Sequence, residues 1–156
     1  MYHHRPGYFL RSKNGGETWE IANQTLPSGI WNGANVKTAP GIAGEVWVSL
    51  KEKGLYRSRD FGQNFSPIAK VEEAQVLTFG KAAPGANYPT VFIHGRINGE
   101  RGIFRSIDAG QTWVRIADYP MHSFADPMVI TGDMNSFGRV FIGTGGNGFI
   151  YGEPQP

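Results

Sequence analysis

The stretch Arg105-Ser106-Ile107-Asp108-Ala109-Gly110-Gln111-Thr112-Trp113 decides how this chain folds, because it occurs in three versions. The other two read Arg11-Ser12-Lys13-Asn14-Gly15-Gly16-Glu17-Thr18-Trp19 and Arg57-Ser58-Arg59-Asp60-Phe61-Gly62-Gln63-Asn64-Phe65. The shared serines stand at positions 12, 58 and 106, so they are spaced 46 and 48 residues apart. A nearly fixed period in this range indicates a protein built from repeated structural units.

The apolar residues within each period fall in short runs bounded by turn residues, which is the pattern of β-strands rather than of amphipathic helices. Two related turns, Ala39-Pro40-Gly41 and Ala83-Pro84-Gly85, link the first two runs of the second and third periods. A four-stranded unit of this length, with an aromatic residue at a fixed place, is typical of a β-propeller blade. The predicted strands lie at about 8–12, 17–22, 34–38, 46–50, 55–58, 64–68, 75–80, 90–95, 103–106, 112–116, 127–131, 139–143 and 148–151.

The repeated stretch has the pattern Ser-x-Asp-x-Gly-x-Thr-Trp, called the Asp box, and each position has a mechanical reason. The Asp side chain can accept hydrogen bonds from backbone N–H groups of its own turn. The glycine supplies a conformation that a Cβ would resist, and the aromatic ring is expected to be buried between neighbouring sheets. A residue repeated in every blade serves what every blade needs, so we interpret the box as structural rather than catalytic. The residues so assigned are Ser12, Asn14, Gly16, Trp19, Ser58, Asp60, Gly62, Phe65, Ser106, Asp108, Gly110 and Trp113.

The predicted strands are too few to close a propeller. They number two, four, four and three in successive blade pieces at about residues 1–23, 24–69, 70–117 and 118–152. A propeller closes with about four to eight blades, and an open end leaves strand edges that invite association. We therefore expect one all-β domain over 1–156, a partial β-propeller of about three and a quarter blades. It would be completed by the rest of a longer propeller or by a second copy of the chain.

Composition excludes several functional classes. The chain has 156 residues, 22 glycines and no cysteine, which rules out disulfides, thiol catalysis and cysteine-ligated zinc. Its net charge is only +2 and its basic residues are scattered, so no nucleic-acid partner is expected. No apolar stretch reaches the roughly 18 residues of a membrane helix, and no signal-peptide pattern follows Met1. The pair His3-His4 supplies too few ligands for zinc. We expect neither a metal nor a cofactor.

Beyond the box itself, several runs resemble the C-terminal part of the xyloglucanases of glycoside hydrolase family 74. The similarity covers about residues 30–152, whereas residues 1–29 match only through the box. The runs that carry it are Gly54-Leu55-Tyr56-Arg57-Ser58, Phe79-Gly80-Lys81-Ala82-Ala83-Pro84-Gly85, Arg101-Gly102-Ile103-Phe104-Arg105-Ser106, Ile130-Thr131-Gly132-Asp133 and Gly138-Arg139-Val140-Phe141-Ile142-Gly143-Thr144.

The resemblance implies two seven-bladed propellers that face each other across a cleft holding the β-1,4-glucan backbone of xyloglucan. Such enzymes cleave with inversion, using one Asp from each propeller, and act outside the cell. This chain resembles only the last half of the second propeller, so both catalytic residues would lie upstream of it. Inversion needs two carboxyl groups about 6.5–9.5 Å apart. No such pair is predicted by the spacing of the acids outside the boxes, which are Glu72, Glu73, Glu100, Asp118, Asp126 and Asp133.

In a propeller the boxes lie on one face, and ligands usually bind on the other. We predict Trp31, Tyr119 and His122 as substrate-binding residues on that second face, because sugar rings stack on aromatic rings while hydroxyl groups pair with polar side chains. Competing interpretations remain for each: Trp31 packing between blades, Tyr119 as an ordinary loop aromatic, and His122 in a structural pair. The same face offers Asn32, Glu72, Glu73, residues 96–101, Asp118 and Phe124.

Two further functional classes compete with a glucan-binding segment of a xyloglucanase. A non-catalytic Asp-box propeller could bind carbohydrate or protein as an assembly module. A sialidase would need an arginine cluster around a carboxylate, but Arg11, Arg57 and Arg105 each stand just before a box and therefore point to the wrong face. The expected partners are thus a β-glucan or xyloglucan oligosaccharide and further propeller sheets.

Overall fold

Four antiparallel sheets account for the strands of the computed structural model, which describes residues 7–30, 33–118, 126–146 and 148–154. These ranges contain thirteen strands and no helix. Sheet I comprises β1 (Gly7–Arg11) and β2 (Glu20–Leu26). Sheet II comprises β3 (Asn35–Thr38), β4 (Val46–Ser49), β5 (Leu55–Ser58) and β6 (Ser66–Pro67). Sheet III comprises β7 (Val71–Gly80), β8 (Thr90–Ile97), β9 (Glu100–Ser106) and β10 (Val114–Asp118). Sheet IV comprises β11 (Pro127–Gly132), β12 (Val140–Thr144) and β13 (Phe149–Gly152).

Each sheet is a simple meander, in which every strand pairs with the next one along the chain. The predicted fold class, an all-β partial propeller, is confirmed. Gly41 and Gly85 take positive φ in the turns that begin at Ala39 and Ala83, as the Pro-Gly pattern predicts. The main departure is β7, which begins at residue 71 rather than 75, because bulges near Glu73 keep it paired with β8.

Apolar side chains hold the sheets face to face. Between sheets II and III, Trp47 and Leu55 meet the buried face of β7, β8 and β9. Between sheets III and IV, Phe92 and Ile103 meet the inner face of sheet IV. Phe9 of sheet I stacks edge to face on the Phe65 ring of sheet II, with the ring centroids 5.1 Å apart. Sheets II and III are therefore covered on both faces.

The second Asp box shows how the repeated turn is held. The Ser58 hydroxyl donates to Asp60 Oδ1 at 2.8 Å and accepts from the Gly62 amide at 2.9 Å. Asp60 Oδ1 also accepts from the amides of Gln63 and Asn64, at 3.0 and 2.9 Å. These bonds hold the pKa of Asp60 at about 2, the Asn64 amide and side chain being the main causes.

The other two boxes repeat this arrangement. Asp108 Oδ1 accepts from the Thr112 amide at 2.9 Å, and Asn14 Oδ1 accepts from the Thr18 amide at 3.0 Å. An amide oxygen thus replaces the carboxylate in the first box. Since Thr18 and Thr112 belong to these turns, β2 and β10 begin later than the predicted strands at 17–22 and 112–116.

The predicted burial of the box aromatic is wrong for Trp19, which is 63% exposed. Phe65 and Trp113 are partly buried, and each packs against the sheet that precedes its own. For Trp19 that preceding sheet is not among the described residues. The ring therefore lies on the uncovered face of sheet I.

Candidate functional site

The strands have two distinct ends. The Asp boxes and the β3–β4 and β7–β8 turns lie at one, the box end. The β4–β5 and β8–β9 turns lie at the other, the ligand end, together with the start of β7. The predicted substrate-binding residues Trp31, Tyr119 and His122 lie outside the described residues. Asn32, Phe124, His3 and His4 lie outside them as well.

A polar cluster at the ligand end of sheet III centres on Glu73. Its carboxylate accepts from Gln75 Nε2 at 2.6 Å and from an Arg101 guanidinium nitrogen at 2.7 Å. Arg96 Nε lies 3.6 Å from the second carboxylate oxygen. Burial opposes ionisation of Glu73, but the hydrogen bonds from Gln75 and Arg101 outweigh it and hold the pKa below its usual range. The site thus presents two half-exposed guanidinium groups anchored on one buried carboxylate.

Sheet II contributes to this cluster through its β4–β5 turn. Lys51 adopts a left-handed φ of 53°, and its backbone exchanges two hydrogen bonds with Ala74 of β7. Its ammonium group donates to the backbone carbonyl of Gln75 at 2.6 Å. On the other side of Glu73, Glu72 accepts from the Gly99 amide at 2.9 Å and so ties β7 to the β8–β9 turn. The cluster is thus built on β7, β8, β9 and one short turn rather than on long loops.

His94 lies beneath the cluster, with 1% of its surface exposed. Alternation along β8 puts it on the face of sheet III shared with Phe92 and Arg96, which is turned toward sheet IV. Burial, assisted by the positive charge of Arg101, lowers the pKa of His94 to about 4. The imidazole is therefore neutral at neutral pH, and Asp126 and Glu73 offset the shift only in part.

A second buried carboxylate, Glu45, lies at the box end. It receives two hydrogen bonds from Arg57, at 2.9 and 2.8 Å, and one from Trp47 Nε1 at 2.9 Å. The Tyr88 hydroxyl donates a further, short bond. Four donors match the roughly four lone-pair sites of a carboxylate. Glu45 therefore has a structural role, joining sheet II to the β7–β8 turn of sheet III.

The arginines that precede the boxes do not gather. Arg57 is committed to Glu45, Arg11 pairs with Glu20 at 2.7 Å, and the Arg105 guanidinium lies over the Phe137 ring at 5.2 Å. These three arginines therefore do not form the cluster that a sialidase needs. Across the described ranges, no three His, Asp or Glu side chains come together as a metal site. Nor do these ranges contain a helix suited to crossing a membrane.

Comparison with known proteins decides the family. A xyloglucanase of Acetivibrio thermocellus is 44% identical over 149 residues, which is 95% of this chain and 17% of that protein. The chain belongs to glycoside hydrolase family 74. A Paenibacillus xyloglucanase is 39% identical over 161 residues, covering 99% of this family 74 chain and 15% of the relative. The chain thus spans about a sixth of the length of these relatives, and no protein-family model matches it.

A solved structure agrees with this assignment. The family 74 xyloglucanase of Xanthomonas campestris superimposes with a TM-score of 0.79 at 32% identity, over 96% of this chain and 21% of that one. The predicted resemblance is confirmed, and the described sheets are a segment of a family 74 propeller.

Sequence reasoning named Glu73 and residues 96–101 as part of the ligand end but missed Lys51, Gln75 and His94. Lys51 comes from a different blade, and no repeat links it to Glu73. The burial of His94 could have been predicted from the sequence, because this residue lies within the apolar run of β8.

Proposed function

We propose that this chain binds a β-1,4-glucan such as xyloglucan at its ligand end and forms part of a xyloglucanase-like glycoside hydrolase. The observation that carries the proposal is the 44% identity, over nearly the whole chain, to a xyloglucanase. Hydrolysis would depend on carboxylates supplied by sequence outside this segment. The corresponding location is extracellular, and the position within such an enzyme is the last half of the second propeller.

The Glu73 cluster supports a polar binding surface. Arg96 and Arg101 are half-exposed donors whose orientation is fixed by a buried carboxylate, so little side-chain entropy would be lost when they bind sugar hydroxyl groups. The predicted aromatic residues Trp31 and Tyr119 would add stacking surfaces to these hydrogen bonds. Aromatic stacking surfaces beside a few fixed hydrogen-bond donors are the combination that a sugar-binding site needs.

Titration of xyloglucan oligosaccharides by calorimetry tests the proposal. Trp31→Ala, Tyr119→Ala and Arg96→Ala should each weaken binding about tenfold, the equivalent of roughly 1.4 kcal/mol. Phe61→Ala is the matched control, because Phe61 is an exposed aromatic residue at the box end. If the wild type binds glucan and none of the three ligand-end substitutions weakens that binding, the proposed location is wrong. If the intact chain binds no glucan, the proposal fails and the non-catalytic assembly module becomes the better interpretation.

A further inference from the structure

Lys51 connects two blades at the ligand end. Its φ of 53° lies in the left-handed region, which a residue with a Cβ adopts only at an energetic cost. Its backbone forms a bridge with Ala74 of β7 through hydrogen bonds of 2.9 and 3.1 Å. Gly54 of the same turn fits closely too, since a Cβ there would lie 2.8 Å from the Val71 carbonyl oxygen. This turn of sheet II therefore lies directly against the backbone of β7.

The bridge lies beside a β-bulge in β7. The register with β8 shifts between Ala74 and Val76, so that Gln75 has no partner in β8. A bulge of this kind turns the side chain of its extra residue in a new direction. At Gly95 of β8, a Cβ would lie 1.9 Å from the Glu73 carbonyl oxygen, so only glycine fits without a shift of the backbone. The two strands thus fit closely at the bulge, which determines where the Gln75 side chain lies.

Gln75 joins Lys51 to Glu73. Its backbone carbonyl accepts from the Lys51 ammonium group at 2.6 Å, and its side-chain Nε2 donates to Glu73 Oε1 at 2.6 Å. The same carboxylate oxygen accepts from Arg101 at 2.7 Å, and Arg96 lies 3.6 Å from the other oxygen. A continuous series of contacts therefore runs from the Lys51 ammonium group to two half-exposed guanidinium groups of the next blade.

We propose that Lys51 is a positioning residue of the ligand end, which holds Gln75 against Glu73 and thereby fixes the two arginines that donate to glucan hydroxyl groups. The inference rests on the proposed function for the identity of the ligand. The ammonium group donates to a neutral carbonyl, so it acts on Glu73 through Gln75. A hydrogen bond from a charged donor is stronger than one between neutral groups. Donors that are held in place before binding lose less side-chain freedom when the ligand arrives.

A double-mutant cycle tests the proposal. Lys51→Met keeps the length of the side chain but removes the donor, and Gln75→Leu removes the hydrogen bond to Glu73. Burial raises the pKa of Glu73 and the hydrogen bond from Gln75 lowers it, so each substitution should raise the pKa that NMR of the carboxyl carbon measures. Lys51→Met should add nothing further in the Gln75→Leu background.

Two results of this cycle overturn the proposal. A further rise of the Glu73 pKa in the double variant would mean that the Lys51 charge acts on Glu73 directly. An unchanged pKa in Lys51→Met would mean that Lys51 does not hold Gln75. Lys53→Met is the matched control, because it removes the same charge from an exposed residue of the same turn and should leave the pKa unchanged. Circular dichroism checks folding, and Lys51→Gln, which has a shorter side chain, replaces Lys51→Met if the latter does not fold.

Calorimetry with xyloglucan oligosaccharides measures the consequence for binding. Lys51→Met and Gln75→Leu should each weaken binding about threefold to tenfold, and the double variant should bind as Gln75→Leu does. Lys53→Met should bind as the wild type does. Unchanged binding by Lys51→Met beside a raised Glu73 pKa would overturn the positioning role. If the wild type binds no glucan, the proposed function fails, whereas the pKa cycle still decides whether Lys51 acts on Glu73 through Gln75.

Discussion

Arg57 and Glu45 form a two-pronged ion pair, with contacts of 2.9 and 2.8 Å, inside the junction between sheets II and III. The guanidinium also lies over the rings of Trp47 and Tyr88, at 5.3 and 5.2 Å from their centroids. Glu45 is only 4% exposed. The pair therefore depends on each partner to compensate the buried charge of the other.

Removing one partner of this pair should be costly. Arg57→Ala leaves the Glu45 carboxylate buried with its main cation gone, and we expect it to lower the free energy of unfolding by about 3 kcal/mol. Urea denaturation measures the change. Arg139→Ala is the control, because it breaks contacts of 3.2 and 2.7 Å to Asp133 and Glu153 at a partly exposed site. Equal losses in the two variants would show that burial is not the cause.

His94 should make stability depend on pH. Its pKa is about 4 in the folded chain against 6.5 for the ordinary group, so the folded state binds fewer protons between these values. Stability that is complete above pH 6.5 is therefore lost as the pH falls toward 4, by up to about 3 kcal/mol.

His94→Gln should remove this part of the pH dependence, while the contributions of the carboxylates remain. The measurement is urea denaturation of both proteins at several pH values between 4 and 7. Parallel stability curves for wild type and variant would contradict the assignment, since both would then take up protons equally.

The Asp box should tolerate loss of the Asp108 negative charge better than loss of the Asp108 oxygen that accepts hydrogen bonds. Asp108→Asn keeps an oxygen where Asn14 already performs the same role, so we expect a small change in thermal stability. Asp108→Ala removes the acceptor for the Thr112 amide and for Ser106, which should cost about 1–2 kcal/mol. Thermal unfolding of the pair separates the two effects. Equal destabilisation would mean that the negative charge itself is required.

Gly62 of the second box should be more sensitive to substitution than the open turn glycine Gly85. Gly62→Ala adds backbone strain at a φ of 81° and drives a methyl group into the Phe9 ring, for a loss of about 2–4 kcal/mol. Gly85→Ala is the matched control, because its φ is 77° but no atom lies within 4 Å of the added carbon. It should cost about 1–2 kcal/mol. If urea denaturation gives the same loss of stability for Gly62→Ala and Gly85→Ala, close packing of the box against sheet I does not contribute to stability.

The strands could be predicted from the sequence because short apolar runs and turn residues act locally. The runs around Val91 and Ile103 are short apolar stretches bounded by turn residues, and Ala83-Pro84-Gly85 encodes its turn without help from distant residues. The extension of β7 could not be predicted, since its bulges depend on pairing with β8.

The ligand end was predictable only in outline. Glu73 and Arg101 could be assigned to it from the order of the strands, but the contact of Lys51 with Gln75 brings together two blades that share no local pattern. The exposure of Trp19 was not predicted, because the box pattern implies only that the ring packs on a preceding sheet. The pattern does not show whether such a sheet is present among the described residues. Local sequence patterns thus predict the strands of each blade, whereas the contacts between blades can be seen only in the three-dimensional structure.

The stacking of the sheets also determines the order in which parts of the molecule unfold. Stability in such an array is close to a sum of couplings between nearest neighbours, so the end sheets detach at lower cost than the middle ones. Val91 and Ile93 of β8 have no exposed surface. Their amides belong to the part of the chain in which hydrogen exchange would be slowest, while sheet I would exchange through local fraying. We therefore expect sheets I and IV to open before sheets II and III do, so that unfolding of the segment proceeds from its two outer sheets toward the middle.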